Sequence, residues 1–261
     1  MSETPLVHLE NIVVRLGDKM VLDEINLKVF TGDRLVILGQ SGSGKSTMLR
    51  LILGILRPIS GVVRYRRLQV QKLSRSKLNL FRSRVGMVYQ DSALISSMTV
   101  RENLALPVEE LSRKPRKEIN ALIKENLEMV GMSGTEEKLP SELSGGMRKR
   151  VSLARAMMMQ PELILFDEPT AGLDPVISSV IDELMINLSG KTNTTSIIVT
   201  HEMDSAFKVA TRMAMLYQGK IIEETTPDRF RASANPVVRQ FVTGTTEGPI
   251  TETPLNADSS K

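Results

Sequence analysis

Gly39-Gln40-Ser41-Gly42-Ser43-Gly44-Lys45-Ser46 is the stretch that decides the fold. It matches G-x-x-x-x-G-K-[ST] at every fixed position, and its flanks are the ones that motif requires. Before it, Leu35-Val36-Ile37-Leu38 is a short apolar run suited to a strand buried on both faces. After it, residues 46–56 carry Leu49, Ile52, Leu53 and Leu56 at helical spacing, with Pro58 and Gly61 as the stop. The glycines let the backbone wrap closely around phosphate. Backbone N–H groups and a helix N-terminus then point at one anion. Lys45 supplies a point charge for β- and γ-phosphates, and Ser46 a hydroxyl for Mg²⁺. Residues 39–47, Thr47 included, are therefore the candidate nucleotide-binding loop. A chance Gly/Ser loop would have no reason to sit between a buried strand and a helix.

The same grammar returns later in the chain. Residues 163–166 form an apolar strand ending in Asp167-Glu168, residues 176–188 a helix, and residues 197–200 a strand ending at His201. Residues 203–210 read as helical, and 213–216 and 220–223 as closing strands. At the start, residues 6–29 alternate loosely around Gly17-Asp18, which predicts a hairpin. Strands alternating with helices imply an α/β domain with right-handed crossovers. Between the two halves the pattern is helical: 100–106, ended before Pro107; 115–130, with Ile119, Leu122, Ile123, Leu127 and Val130 on one face; and 145–159. The expected division is a core of 1–91 and 159–227, a helical insertion of 92–158, and an extension of 228–261. After Phe241 the composition turns to Thr, Gly, Pro, Ser and Glu, which predicts a flexible tail. No internal repeat is present.

Composition excludes several classes. The 261 residues contain no cysteine and two histidines, His8 and His201, so disulfides, thiolate zinc sites and multi-histidine metal sites are out. Aromatics are 3%, too few for a protein that reads bases by stacking along a strand. No run of about 18 apolar residues occurs, so the sequence predicts no membrane span. Residues 1–10 lack the basic start and apolar run of a secretory signal. The net charge is only +4, but it is unevenly placed. Between Arg34 and Gln90 there are twelve Lys and Arg and no acid; between Ala156 and Gly190 there are six acids and no Lys or Arg. One stretch suits an anion and the other a cation, although the basic run alone would also suit nucleic acid or a solvated face.

In an α/β sheet, ligands bind at the carboxyl ends of strands, which brings Asp167 and Glu168 to the crevice of the phosphate loop. Asp167 can then hold the water shell of Mg²⁺. Its neighbour Glu168, pointing the other way, can polarise an attacking water. His201 at a third strand end is placed for a γ-phosphate. Gln90, after the strand-like residues 85–89, would alone be a surface glutamine. Finally, Leu143-Ser144-Gly145-Gly146-Met147 precedes a basic helix; Ser144 suits an N-cap, and the glycines let an anion approach. One nucleotide's phosphates are already held by the first loop. The second element therefore serves a nucleotide on another copy, and the working unit is a dimer.

Together these motifs resemble the ATP-binding subunit of an ABC transporter. The likeness runs in order and spacing over residues 6–227: Walker A from Gly39 to Thr47, Q-loop Gln90, signature Leu143 to Met147, Walker B from Leu163 to Glu168, D-loop Ala171-Gly172-Leu173-Asp174, and switch His201. It implies a P-loop NTPase core of the ABC type, an N-terminal antiparallel β subdomain and a helical signature subdomain. The implied ligands are ATP and Mg²⁺. Ser46, Gln90 and Asp167 are implied at the metal, Glu168, His201 and Gln90 in catalysis, and Ser144, Gly145, Gly146 and Asp174 at the nucleotide of a head-to-tail dimer. Met147 stands where glutamine is common. Ser-Gly-Gly-Met, Gln90-Asp91-Ser92-Ala93-Leu94 and Val238-Arg239-Gln240-Phe241 before Gly248-Pro249 resemble, more narrowly, the ATPases of MCE-type phospholipid transport. That implies permease subunits, an MCE-type lipid-binding protein and a small regulatory subunit as partners, no nucleic acid, and a place on the cytoplasmic face of the inner membrane. Leu16 departs from the pattern: the family usually has an aromatic there, stacked on adenine. Weaker base discrimination is expected. The rival readings are an ABC-type ATPase for another cargo, one acting on nucleic acid or ribosomes, a non-hydrolysing scaffold and a P-loop kinase. The last leaves the signature and D-loop unexplained.

Overall fold

The computed structural model describes residues 4–252. Two sheets share the strands. The hairpin β1 (Val7–Leu16) and β2 (Lys19–Val29), turning at Gly17-Asp18, joins β4 (Ser60–Tyr65) and β5 (Leu68–Gln69) in an antiparallel sheet of order β2-β1-β4-β5. The second sheet has six strands, β10-β9-β3-β8-β7-β6. Of these β3 (Arg34–Leu38), β6 (Val85–Val88), β7 (Leu163–Asp167), β8 (Thr195–Thr200) and β9 (Arg212–Tyr217) run parallel, and β10 (Lys220–Thr225) closes the edge antiparallel. The helices are α1 (Lys45–Ile52), α2 (Arg75–Arg82), α3 (Val100–Leu111), α4 (Arg116–Met129), α5 (Gly145–Met157), α6 (Pro175–Thr192), α7 (Met203–Val209), α8 (Pro227–Arg231), α9 (Pro236–Thr243) and α10 (Pro249–Glu252).

Strand alternation divides the core. Leu35 and Ile37 of β3 pack with Leu9, Ile12, Met48 and Leu49, between the two sheets and α1. Val36 and Leu38 face the other way, onto Leu104, Ile123, Val151 and Ile181 of the helices. A parallel strand buried on both faces must be apolar throughout, which is why β3, β7 and β8 read as unbroken apolar runs.

The structure departs from the expectations in four places. The helix after the phosphate loop ends at Ile52, short of residue 56, because Gly54 takes a left-handed backbone (φ 64°) and Ile55 and Leu56 bond back to the Arg50 carbonyl. The helix expected to stop before Pro107 runs on to Leu111. Proline there removes one helical hydrogen bond, and the fully buried Val108 in the following turn outweighs it. The segment 60–82, read only as basic, forms β4, β5 and α2. The tail does not hang free through residue 252: the Ile250 N–H donates to Gln240 Oε1 at 2.8 Å and Tyr217 Oη to the Pro249 carbonyl at 3.3 Å. Residues 253–261, the rest of the expected flexible tail, lie outside the described residues.

Candidate functional site

The loop between β3 and α1 can take its shape only with glycine. Gly44 caps α1 at φ 106°, and a Cβ there would stand 2.9 Å from Leu22 Cδ2 and 3.1 Å from the Val21 carbonyl. The loop is thus wedged against β2 with the α1 N-terminus aimed outward. Lys45 is buried, and its Nζ donates to the Gly39 and Gln40 carbonyls at 2.8 and 3.1 Å. The Ser43 hydroxyl oxygen is buried without a hydrogen-bond partner. An oxyanion in this loop would supply that partner.

The strand-end acids reach the same place. Ser46 Oγ donates to Asp167 Oδ1 at 2.8 Å. β7 ends there, and Glu168 takes a left-handed backbone (φ 48°) that breaks strand alternation. Its carboxylate therefore does not point away, as alternation predicts. It lies 3.6 Å from Lys45 Nζ and 3.0 Å from His201 Nδ1, and the His201 N–H donates to it at 3.3 Å. Burial pushes the Lys45 ammonium below the usual lysine range, against the pull of Glu168, and pushes the Asp167 carboxyl up, with the Ser46 hydrogen bond opposing.

These groups line an open cleft of about 670 Å³, bounded by Leu16, Lys19, Val21, Gln40, Ser41, Gly42, Gly44, Lys45, Ser46, Thr47, Gln90, Glu168, His201 and Phe241. Asp167 sits behind Ser46. A second cavity of about 340 Å³, lined by Leu122, Met129 and Glu162, holds none of the candidate residues.

The signature residues do not join the cleft of their own chain. Ser144 is exposed and caps α5, accepting from the Met147 N–H at 3.3 Å. Gly146 is pressed on α6, where a Cβ would meet Ile177 Cγ2 at 2.5 Å. Asp174 caps α6, accepting from the Val176 and Ile177 N–H groups, each at 3.0 Å. Neither element lines the cleft.

Two features were not read from the sequence. Lys149, one of the basic residues on the helix after the signature glycines, is buried; its Nζ donates to the Gln90 carbonyl at 2.5 Å and the Glu168 carbonyl at 3.1 Å. The signal was its spacing, three residues from Gly146 and from Ser152 on the buried face of α5. Beyond Gln90, the left-handed Ser92 and Ala93 are clamped to α5: Ser152 Oγ and Arg155 donate to the Ser92 carbonyl at 2.9 and 3.0 Å, and Arg155 to the Ala93 carbonyl at 2.6 Å. The helix that begins at Ser144 thus holds the backbone on both sides of the cleft's polar wall. The second feature is Phe241, which comes from α9, about 200 residues along the chain from the loop.

Comparison with known proteins shows the family. The family model described as ABC transporter matches residues 22–171. The chain is 36% identical to the Haemophilus influenzae "Intermembrane phospholipid transport system ATP-binding protein MlaF", over 94% of this chain and 93% of that one. It is equally identical to "Protein TRIGALACTOSYLDIACYLGLYCEROL 3, chloroplastic" of Arabidopsis thaliana (94% and 75% covered) and to "Probable ribonucleotide transport ATP-binding protein mkl" of Mycobacterium leprae (94% and 70%). Among solved structures it resembles a dimeric post-hydrolysis state of the ATP-binding cassette MJ0796 bound to ADP and Pi, with TM-score 0.77 and 31% identity over 85% of this chain and 98% of that one.

Proposed function

The chain belongs to the ABC transporter family, in which it is a nucleotide-binding ATPase, and from that premise we propose that it powers the movement of phospholipid through separate membrane-crossing subunits. The observation that carries the cargo is the near full-length likeness to a phospholipid transport ATP-binding protein. No described helix is long and apolar enough to cross a membrane, so on this reading the force passes through protein contact. The proposed place is the cytoplasmic face of the membrane, with permease subunits, an MCE-type lipid-binding protein and a small regulatory subunit as partners and no nucleic acid.

In the proposed reaction the Gly39–Thr47 loop and Lys45 hold the phosphates, and Glu168 accepts the proton of the attacking water. His201, tied to Glu168, contacts the γ-phosphate from the other side. Mg²⁺ fits the site: Ser46 and Asp167 offer adjacent hard oxygens, and partial burial raises the Asp167 pKa, so a cation beside it would favour its carboxylate form. Among the described residues no group of three or more His, Asp or Glu could hold an ion alone, so the remaining donors would be phosphate oxygens, with Gln90 alongside. When bound, the ion would neutralise charge on the β- and γ-phosphates. Ser144, Gly145 and Gly146 of a second copy, docked head to tail, would bring the α5 N-terminus to the γ-phosphate, where transition-state charge is stabilised. Asp174 would stand at the same junction. ATP then favours the closed pair, a population shift.

The proposed receiver of that shift is the surface around Gln90 and the helical insertion, 92–158, with the segment 91–99 nearest the nucleotide. That segment is tied to α5 by Arg155 and Ser152, and to α3 by Asn103, whose Nδ2 donates to the Ile95, Met98 and Thr99 carbonyls at 3.0–3.1 Å. On this division 1–91 and 159–227 form the ATPase core, and 228–261 is an interaction extension.

A second cargo has a specific motive, since a relative of equal identity bears a ribonucleotide-transport name. Reconstitution with the membrane subunits separates the two. Phospholipid should stimulate hydrolysis and move only with ATP. Stimulation by ribonucleotides and not by lipid would overturn the cargo and leave the ATPase intact.

A further inference from the structure

We propose that Phe241, carried by the C-terminal helix α9, is the ring on which the nucleotide base stacks. The proposal rests on the cleft being the ATP site. The phosphate end of that cleft is fixed by the α1 N-terminus, Lys45 and Ser46. From there the lining continues to the β1–β2 hairpin with Leu16, Lys19 and Val21, and to Phe241. A nucleotide held by its phosphates must lay its base along the part of the lining they do not occupy. A purine is a flat π-surface, poorly hydrated on its faces, and it needs an apolar wall. Among the described lining residues the apolar side chains are Leu16, Val21 and Phe241. Leucine and valine give contact area. Only the phenyl ring gives a parallel face, whose stacking is worth more than area alone.

The chain spends structure on putting that ring there. The turn between β9 and β10 is bound to β2 beside Val21: the Asp23 N–H donates to the Gly219 carbonyl at 2.8 Å, and Lys220 pairs with Asp23 at 3.1 Å. The extension leaves β10 at Thr225, paired with Met213 at the end away from that turn, and returns to it after α9, where Tyr217 Oη donates to the Pro249 carbonyl at 3.3 Å. α9 is started by Asn235, whose side chain accepts from the Val237 N–H at 3.0 Å, with Pro236 in its first turn, and is ended by the left-handed Gly244. Val238, three residues before Phe241, is fully buried. Gln240, immediately before it, is buried too; its Nε2 donates to the Thr245 carbonyl and Thr251 Oγ1, each at 3.2 Å, and its Oε1 accepts from the Ile250 N–H. Tyr217 holds the returning segment at Pro249. Phe241 itself is half-buried, packed on its inner side against the helical core and open to the cleft on the other. The ring's position is thus fixed from both chain directions before any ligand arrives, which lowers the ordering cost of binding.

The test compares ATP with inorganic tripolyphosphate, which keeps the phosphates and lacks the base, by titration calorimetry on the full chain with Mg²⁺. Phe241→Leu keeps apolar packing and removes the aromatic face. It should weaken ATP about 5- to 100-fold and leave tripolyphosphate unchanged, while Phe241→Tyr keeps ATP affinity near native. Unchanged ATP affinity in Phe241→Leu would overturn the proposal. So would an equal loss for ATP and tripolyphosphate, because that marks a distorted cleft and not a lost stacking face. If the native chain bound neither ligand, the reading of the cleft would fall first and the proposal with it.

Discussion

The phosphate loop and the signature loop both bring glycine and serine to a helix N-terminus, yet the chain leaves them in different conditions. At the phosphate loop Lys45 is buried and Asp167 half-buried, each at a cost to its charged form, Ser43 Oγ has no partner, and Glu168 sits on a left-handed backbone. At the signature loop Ser144 caps its helix, Asp174 caps the next, and the face is open to solvent. The first is built around something it does not itself contain. The second is finished as local structure, so any chemistry it does must be done on another molecule. The link between them is α5, whose Lys149 and Arg155 hold the backbone of Gln90, Glu168 and the segment beyond.

The largest test of that contrast is Glu168→Gln, which keeps the size of the side chain and removes the base. ATP hydrolysis should fall by about 10²–10⁴-fold, with ATP still bound and the pair of chains held closed. Hydrolysis near the native rate would show that the carboxylate is not the base. Ser144→Arg probes the other loop. It should cost hydrolysis about 10²–10³-fold while ATP affinity of the separate chain is unchanged; lost ATP affinity would mean that the signature loop serves its own chain's site. Lys149→Met should lower kcat about tenfold with ATP affinity retained, because it frees the carbonyls on both sides of the cleft without touching phosphate. An unaltered kcat would reduce Lys149 to a packing residue.

The smallest expected effect is on stability. Burial raises the Asp167 pKa, so the folded chain is penalised as pH climbs through and above the ordinary carboxylate range. Asp167→Asn should therefore unfold about 1–3 °C higher than the native chain at pH 7, measured without nucleotide or Mg²⁺, and lose that advantage below about pH 4. A native chain more stable at pH 7 would mean that Asp167 is already compensated.

The parts of this molecule that were legible in sequence are those whose physics is local. A buried parallel strand must be apolar, a phosphate loop must have glycines at fixed spacing, and acids at strand ends follow from the sheet. Hence β3, β7, β8 and the residues from Gly39 to Ser46, with Asp167, Glu168 and His201, stood out. What was not legible depends on distant packing. Pro107 reads as a stop until Val108 is seen to be buried. Lys149 reads as one more basic residue on the signature helix until its face of α5 is known. The tail reads as polar and loose, because the anchors for residues 245–251 are side chains outside it, Gln240 in the helix before it and Tyr217 at the end of β9. The alternation that aimed Glu168 away from Asp167 failed at a single left-handed residue.

Mixing two dead variants tests the division of labour between the loops most directly. Lys45→Ala disables the phosphate loop, and Ser144→Arg the signature loop. In a head-to-tail pair made of one copy of each, one site unites the two lesions and the other unites the two intact loops. Equal mixing should therefore restore ATP hydrolysis to about a quarter of the native rate, from chains that are each inactive alone. If the mixture stays as inactive as its components while native chains diluted into the same excess keep their rate, the two loops do not meet across a pair of chains.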